Sequence, residues 1–212
     1  MNKKQVIKFL KDAWYFIWES NSIWSWIVNI ILAFVIIKFL VYPGLGFLLS
    51  TSHPIVAVVS SSMEHDGSFD QWWSSKAMCD STVCTQKEFY SDIDITKQQF
   101  LTFKFKNGFN KGDIMLLKGT SPEKINIGDV IVFQNKRPDP IIHRVIKKRK
   151  ENGIYYFQTK GDHNSKSVNS TLLDETKIPQ NKVIGKASFR VPYLGWIKIA
   201  FVGLLKLIGI VK

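Results

Sequence analysis

The stretch Pro54-Ile55-Val56-Ala57-Val58-Val59-Ser60-Ser61-Ser62-Met63 decides how the chain is read. It starts as a short apolar run rich in β-branched residues, the pattern of a buried strand. It ends in three consecutive hydroxyls, with no charge before Glu64. A strand that delivers serines at its end holds one of them at the rim of a core, where it can react. The run also follows the most hydrophobic part of the chain. The pattern describes a nucleophile held close to a bilayer.

Upstream, Ile23 to Leu49 is almost wholly apolar, with Asn29 and Lys38 as the exceptions. It is long enough to cross a hydrocarbon core of roughly 30 Å, and it is too long for a cleaved leader and has no clear small-x-small cleavage site. Trp24, Trp26 and Tyr42 suit the interfaces. Residues 1–22 precede it with Lys3, Lys4, Lys8 and Lys11. Val6, Phe9, Leu10, Ala13, Trp14, Ile17 and Trp18 recur there at helical spacing. This predicts an amphipathic helix on the cytoplasmic leaflet. The lysines favour a cytoplasmic N-terminus, which places the downstream region outside. The expected organisation is a cytoplasmic segment at 1–22, a transmembrane anchor at 23–49, an extracytoplasmic domain at 50–192 and a membrane-associated helix at 193–212. In that last stretch Lys198, Lys206 and Lys212 fall on one side of a helical wheel, which favours an interfacial helix over a second span.

Downstream, the residues after Met63 change character. From about 65 to 110 they read as an insertion, helical or irregular at first, with an alternating Phe103-Lys104-Phe105 that suggests a strand. Beyond it, Gly112-Asp113 precedes Ile114-Met115-Leu116-Leu117, and Gly128-Asp129 precedes Val130-Ile131-Val132-Phe133. Ile141–Ile146 and Ile154–Thr159 flank Asn152-Gly153, a strong hairpin signal. Val183–Val191 reads as a further strand. Short strands punctuated by turn residues predict a mostly β domain.

The chain of 212 residues carries a formal net charge of +12. Such a balance suits nucleic acid or an anionic membrane surface. No RNA-binding signature, zinc-knuckle spacing or helix-turn-helix pattern is present, so lipid is the better partner and nucleic acid is not expected. Cys79 and Cys84, with four residues between them, form either a small disulfide loop or two free thiols.

Three short sites carry chemistry: Ser60-Ser61-Ser62-Met63-Glu64, the strand histidine in Ile142-His143-Arg144, and the polar turn Thr159-Lys160-Gly161-Asp162-His163-Asn164. A serine needs a neighbouring base to act as a nucleophile near neutral pH. An imidazole supplies one, and a carboxylate that fixes its tautomer completes the set. Chain order makes Asp162 the expected carboxylate.

Taken together, these sites resemble the type I signal peptidases of the S26 family. The match runs through Ser52-x-Pro54-Ile55-Val56-x-Val58-x-Ser60-x-Ser62-Met63-Glu64, Ile127–Phe133, Ile142-His143-Arg144-Val145-Ile146, Thr159-Lys160-Gly161-Asp162-x-Asn164 and Val191-Pro192-Tyr193-Leu194-Gly195. Histidine at position 143, where the bacterial branch has lysine, makes the chain similar to the archaeal and endoplasmic-reticulum branch. The resemblance implies a signal-peptidase-like β fold and a membrane-bound serine endopeptidase that removes signal peptides from exported preproteins after small residues. Ser62 resembles the nucleophile and His143 the general base, while Ser60 matches the oxyanion position. Asp162 matches the aspartate of the Gly-Asp motif, and a dyad assisted by Ser167 or Asn169 is the alternative. Ser61 stands where glycine is usual and His65 where proline is usual. Val168 stands where endoplasmic-reticulum relatives carry a second aspartate. The resemblance requires no metal or organic cofactor. It implies preproteins and the bilayer as partners, proximity to the protein-export channel, and a location in the cell or endoplasmic-reticulum membrane. The rival readings are a related membrane protease for pilin-like or other secreted substrates and a non-catalytic peptide-binding relative.

Overall fold

A computed structural model describes residues 2–207 and 209 of the chain. It divides into two compact units, Met1–Leu48 and Leu49–Lys212. The first holds the helix Lys3–Trp18 and the apolar helix Ile23–Leu48, which is long and apolar enough to cross a membrane and includes a π-helical turn at Ile37–Val41. Asn29, a polar residue in that apolar run, donates from Nδ2 to the Ile17 carbonyl at 2.8 Å, and Ser25 Oγ donates to Phe16 O at 2.5 Å. Both satisfy carbonyls at the end of the preceding helix, which have no partner within it.

The second unit is mostly β. Its strands are β1 (Ile55–Ala57), β2 (Lys76–Cys79), β3 (Thr82–Thr85), β4 (Ile114–Lys118), β5 (Val130–Phe133), β6 (Ile141–Glu151), β7 (Ile154–Lys160), β8 (Ile178–Pro179) and β9 (Val183–Val191). Seven of them form one curled sheet in the order β1-β4-β9-β5-β6-β7-β8, and every pairing is antiparallel. The stretch 54–63 therefore supplies an edge strand only three residues long, and the serines leave from its end.

Central β5 is buried along its whole length. Val130 and Val132 enter one core with Val58, Met63, Met115 and Leu117. Ile131 and Phe133 enter a second with Val145, Phe157, Leu173 and Ile178. A strand alternates its side chains, so an uninterrupted apolar run serves two cores. The two Gly-Asp pairs are the same turn used twice. Gly112 (φ +91°) and Gly128 (φ +93°) take left-handed backbone, which glycine adopts readily. Asp113 Oδ2 then accepts from Asn110 N and Asp129 Oδ2 from Asn126 N, each at 2.8 Å. Asn152 and Gly153 also have positive φ, as a two-residue type I′ turn requires, and they close β6 on β7 with Glu151 opposite Ile154.

The inserted segment packs its own core from Trp72, Trp73, Tyr90, Ile95 and Phe100, against Ile146 of β6. It holds three short helices, Phe69–Trp73, Gln86–Ser91 and Lys97–Thr102, and also the hairpin β2–β3, which the sequence did not signal. Cys79 and Cys84 close that hairpin as a disulfide. The expected strand at Phe103–Phe105 is absent. Phe103 N closes the preceding helix on Phe100 O at 3.0 Å, and Phe105 has φ +57°, which breaks extension. Phe103 packs on the insertion core while Phe105 packs on the core beneath β1 and β4, so the alternation serves two clusters across a turn. At the C-terminus the helix Trp196–Leu207 follows β9, and residues 208 and 210–212 of the expected 193–212 segment lie outside the described ones.

Candidate active site

Ser62 stands just past the β1 edge, between the buried anchors Val58 and Met63. His143 is the third residue of β6, opposite Ile131 of β5, and only 4% exposed. The two meet: His143 Nε2 lies 2.8 Å from Ser62 Oγ. Ser60 Oγ is 3.2 Å from Ser62 Oγ on the same side. These three side chains line an open cavity of about 620 Å³, walled by Ala57 and Val59 on one side and by Ile142, Leu172 and Leu173 on the other.

The carboxylate that meets the imidazole is Glu175, a residue that sequence reasoning missed. Glu175 is completely buried, and its Oε1 lies 2.5 Å from His143 Nδ1. The same oxygen accepts from Thr159 Oγ1 at 2.8 Å, and Oε2 accepts from Val168 N at 2.8 Å. Its backbone is held as well, by Thr159 N→Glu175 O at 2.9 Å and Glu175 N→Val168 O at 2.8 Å. An ionised carboxylate only accepts hydrogen bonds. The contact at Nδ1 is therefore a donated N–H, which leaves the Nε2 lone pair facing the serine hydroxyl.

Asp162 does not take the place expected of it. Its carboxylate accepts from Arg144 Nε at 2.9 Å and from Arg144 Nη2 at 2.6 Å, and lies 3.1 Å from His65 Nε2. Neighbouring strand residues point to opposite faces, so the partner of Arg144 is on the wrong side of β6 to reach His143. All three members of this cluster have buried side chains. Burial alone would push the Asp162 carboxyl up, but the Arg144 guanidinium, helped by His65, holds it well below the usual carboxylate range. His65 stacks on Trp72 with ring centroids 3.7 Å apart. The cluster ties the serine stretch, the insertion and the Gly161–Asn164 turn together.

Ser167 and Asn169 do not assist the pair either. Ser167 Oγ donates to Thr159 O at 2.7 Å, and Asn169 is an exposed residue bridged to Asp174 at the base of a turn. His163 is exposed, but its backbone N–H donates to Ser62 O at 2.9 Å. Gly161 lies so close to the pair that an added Cβ would stand 2.6 Å from Ser62 O and 2.9 Å from His143 Nε2. The sequence signal for Glu175 was thin: a pair of acids in Leu172-Leu173-Asp174-Glu175, of which the second is buried.

Comparison with characterised proteins follows the same direction. The catalytic subunit Sec11 of the fission yeast (Schizosaccharomyces pombe) signal peptidase complex is 30% identical over 137 residues, a match covering 52% of this chain and 69% of the relative. This chain belongs to the Sec11 family of signal peptidase catalytic subunits. The human subunit SEC11C is 32% identical over 102 residues, covering 47% of this chain and 53% of the relative. Sec11 of Pyricularia oryzae is 23% identical over 125 residues. The chain spans about half the length of the mammalian Sec11 relatives it matches. No protein family model matches it.

Proposed function

We propose that this Sec11-family chain is a membrane-bound serine endopeptidase that removes signal peptides from exported preproteins. Ser62 Oγ is the nucleophile, His143 the general base, and Glu175 the group that orients the imidazole. The observation that carries the reading is the unbroken relay Ser62 Oγ–His143 Nε2 at 2.8 Å and His143 Nδ1–Glu175 Oε1 at 2.5 Å. Ser62 attacks the scissile carbonyl as His143 takes its proton. The imidazolium then protonates the leaving amine, and water releases the acyl group by the reverse route. The Ser60 hydroxyl, beside the attacking oxygen, serves the developing oxyanion.

The substrate backbone adds as an extended segment along the free edge of β1, with its side chains directed at the apolar walls of the cavity. Its selectivity for small residues is set at the apolar wall of the cavity, Ile142, Leu172 and Leu173. The helix Ile23–Leu48 spans the bilayer with its N-terminus cytoplasmic, and residues 50–192 form the extracytoplasmic catalytic domain. Tethering to a membrane-spanning helix raises the encounter rate with a substrate whose own hydrophobic segment is in the same bilayer. The sequence similarity to subunits of a complex supports assembly with further subunits near the export channel. The test is cleavage of a signal-peptide-bearing precursor by the purified full-length chain. Ser62→Ala and His143→Ala should each abolish it while the circular dichroism spectrum is unchanged. Cleavage at the wild-type rate by both variants would sink the assignment.

A further inference from the structure

Lys160, the last residue of β7, is completely buried. Among the described residues its ammonium bonds to no carboxylate. It donates to Gln86 Oε1 at 2.9 Å, Gly161 O at 3.2 Å and Asp162 O at 3.4 Å, and it lies 5.1 and 5.3 Å from the ring centroids of Phe89 and Tyr90. A buried cation without a bonded counter-ion is unfavourable. For stability alone, an unbranched apolar side chain would fill this aromatic box better.

The ammonium does what an apolar side chain cannot: it draws two successive carbonyls inward. Those carbonyls belong to the turn on which the reactive pair rests. Gly161 lies against Ser62 and His143, and the N–H of His163, which follows the Asp162 carbonyl, donates to Ser62 O. Further ties on this turn come from the insertion. Trp72 Nε1 donates to Asp162 O at 3.0 Å, Gln86 Nε2 to Asn164 O at 3.3 Å, and Met78 N to Ser165 O at 3.0 Å.

We propose that Lys160 is a positioning residue for the Ser62–His143 pair, and that the inserted segment is the clamp that holds it in place. The inference rests on the peptidase reading above. Asp162 of the turn and Glu175 favour the ammonium, while Arg144 on the paired strand β6 opposes it; Tyr90 of the insertion is the remaining titratable neighbour. Burial prevails and pushes the lysine down to about 7. The charge that grips the carbonyls is therefore lost on the alkaline side of neutrality.

Two variants of the full-length protein test this with a precursor peptide. Lys160→Met should lower kcat about tenfold or more with KM within about twofold, at a melting temperature equal to or above that of the wild type. A kcat within about twofold of wild type, or a loss of kcat matched by a lowered melting temperature, overturns the proposal. Gln86→Glu places a carboxylate where the amide oxygen now lies 2.9 Å from the ammonium. It also removes the Nε2 tie to Asn164 O, so the readout is the alkaline limb of the variant's own kcat profile, which should move to higher pH; an unmoved limb refutes the role even if Lys160→Met does not fold. Ser62→Ala in the same assay separates the two ideas. Cleavage that survives Ser62→Ala removes the peptidase reading, whereas cleavage lost in Ser62→Ala and unaffected in Lys160→Met removes only the clamp.

Discussion

Replacing Glu175 with glutamine is the sharpest perturbation of the relay. The side chain keeps its shape, but one oxygen becomes a donor. If the amide nitrogen takes the Oε2 position, it faces the Val168 N–H that now donates at 2.8 Å, and two donors oppose each other. If it takes the Oε1 position, it faces His143 Nδ1 at 2.5 Å and Thr159 Oγ1 at 2.8 Å. The threonine hydroxyl can rotate to accept. The imidazole can accept at Nδ1 only by carrying its proton on Nε2, where it can no longer take one from Ser62. A hydrogen bond to a charged group contributes about 1.5–3 kcal/mol, which is roughly a 10- to 150-fold loss in kcat. The wrong tautomer extends the loss to about 10³–10⁴-fold, the scale seen when a triad carboxylate becomes an amide. Stability should fall by only about 1–3 kcal/mol, the cost of one unsatisfied buried group. The assay is steady-state cleavage of a precursor peptide alongside thermal unfolding of the same preparation. A Glu175→Gln enzyme with kcat within threefold of wild type would show that the imidazole needs no carboxylate, and the reasoning would fail.

Further outcomes follow from the neighbouring residues. Asp162→Asn should cost about 3–5 kcal/mol of stability, because it strips a fully buried Arg144 of its partner. The wild type should lose stability as pH falls through and below the ordinary aspartate range: the Asp162 pKa is depressed in the folded state, so the unfolded chain binds the proton first. Acid-unfolding curves should show that limb flattened in Asp162→Asn; an unchanged limb would mean that the pair contributes nothing. Gly161→Ala should lower kcat by about 10²-fold or more, since its Cβ would displace Ser62 O or His143 Nε2, both under 3 Å away; an alanine variant with normal kcat would place the turn outside the machinery. Opening the Cys79–Cys84 loop by a double serine substitution should cost about 2 kcal/mol by loop-closure entropy, read as a lowered melting temperature, with no change expected if the hairpin is held by its packing alone.

Much of the β unit was legible in the chain because its signals are local. Apolar runs preceded by Gly-Asp turns marked β4 and β5, Asn152-Gly153 marked the hairpin, and continuous apolarity marked the helix Ile23–Leu48. Ser62 and His143 were singled out because hydroxyl and imidazole chemistry requires a partner, and the fold brings them to 2.8 Å. The insertion was poorly read, since its order comes from aromatic packing among Trp72, Trp73, Tyr90 and Phe100, which follows no period.

The third member of the relay turned on a single residue of register. Counting out from Glu151 opposite Ile154, eight residues back and eight forward, a regular hairpin sets His143 opposite Asp162, where both side chains would share a face. The folded sheet breaks that count between Val145 and Lys147, where β6 carries one extra residue. Gly128 N and Asp129 O grip the two sides of Val145 at 2.8 Å each, while Ile146 enters the insertion core. The bulge moves Arg144 opposite Lys160 and turns Asp162 onto the guanidinium. His143 is left on the opposite face with Val145 and Thr159, where Glu175 is waiting. Residue types and short spacings are written in the chain. The face a side chain reaches after a bulge depends on which distant backbone captures the extra residue, and only the assembled sheet decides that.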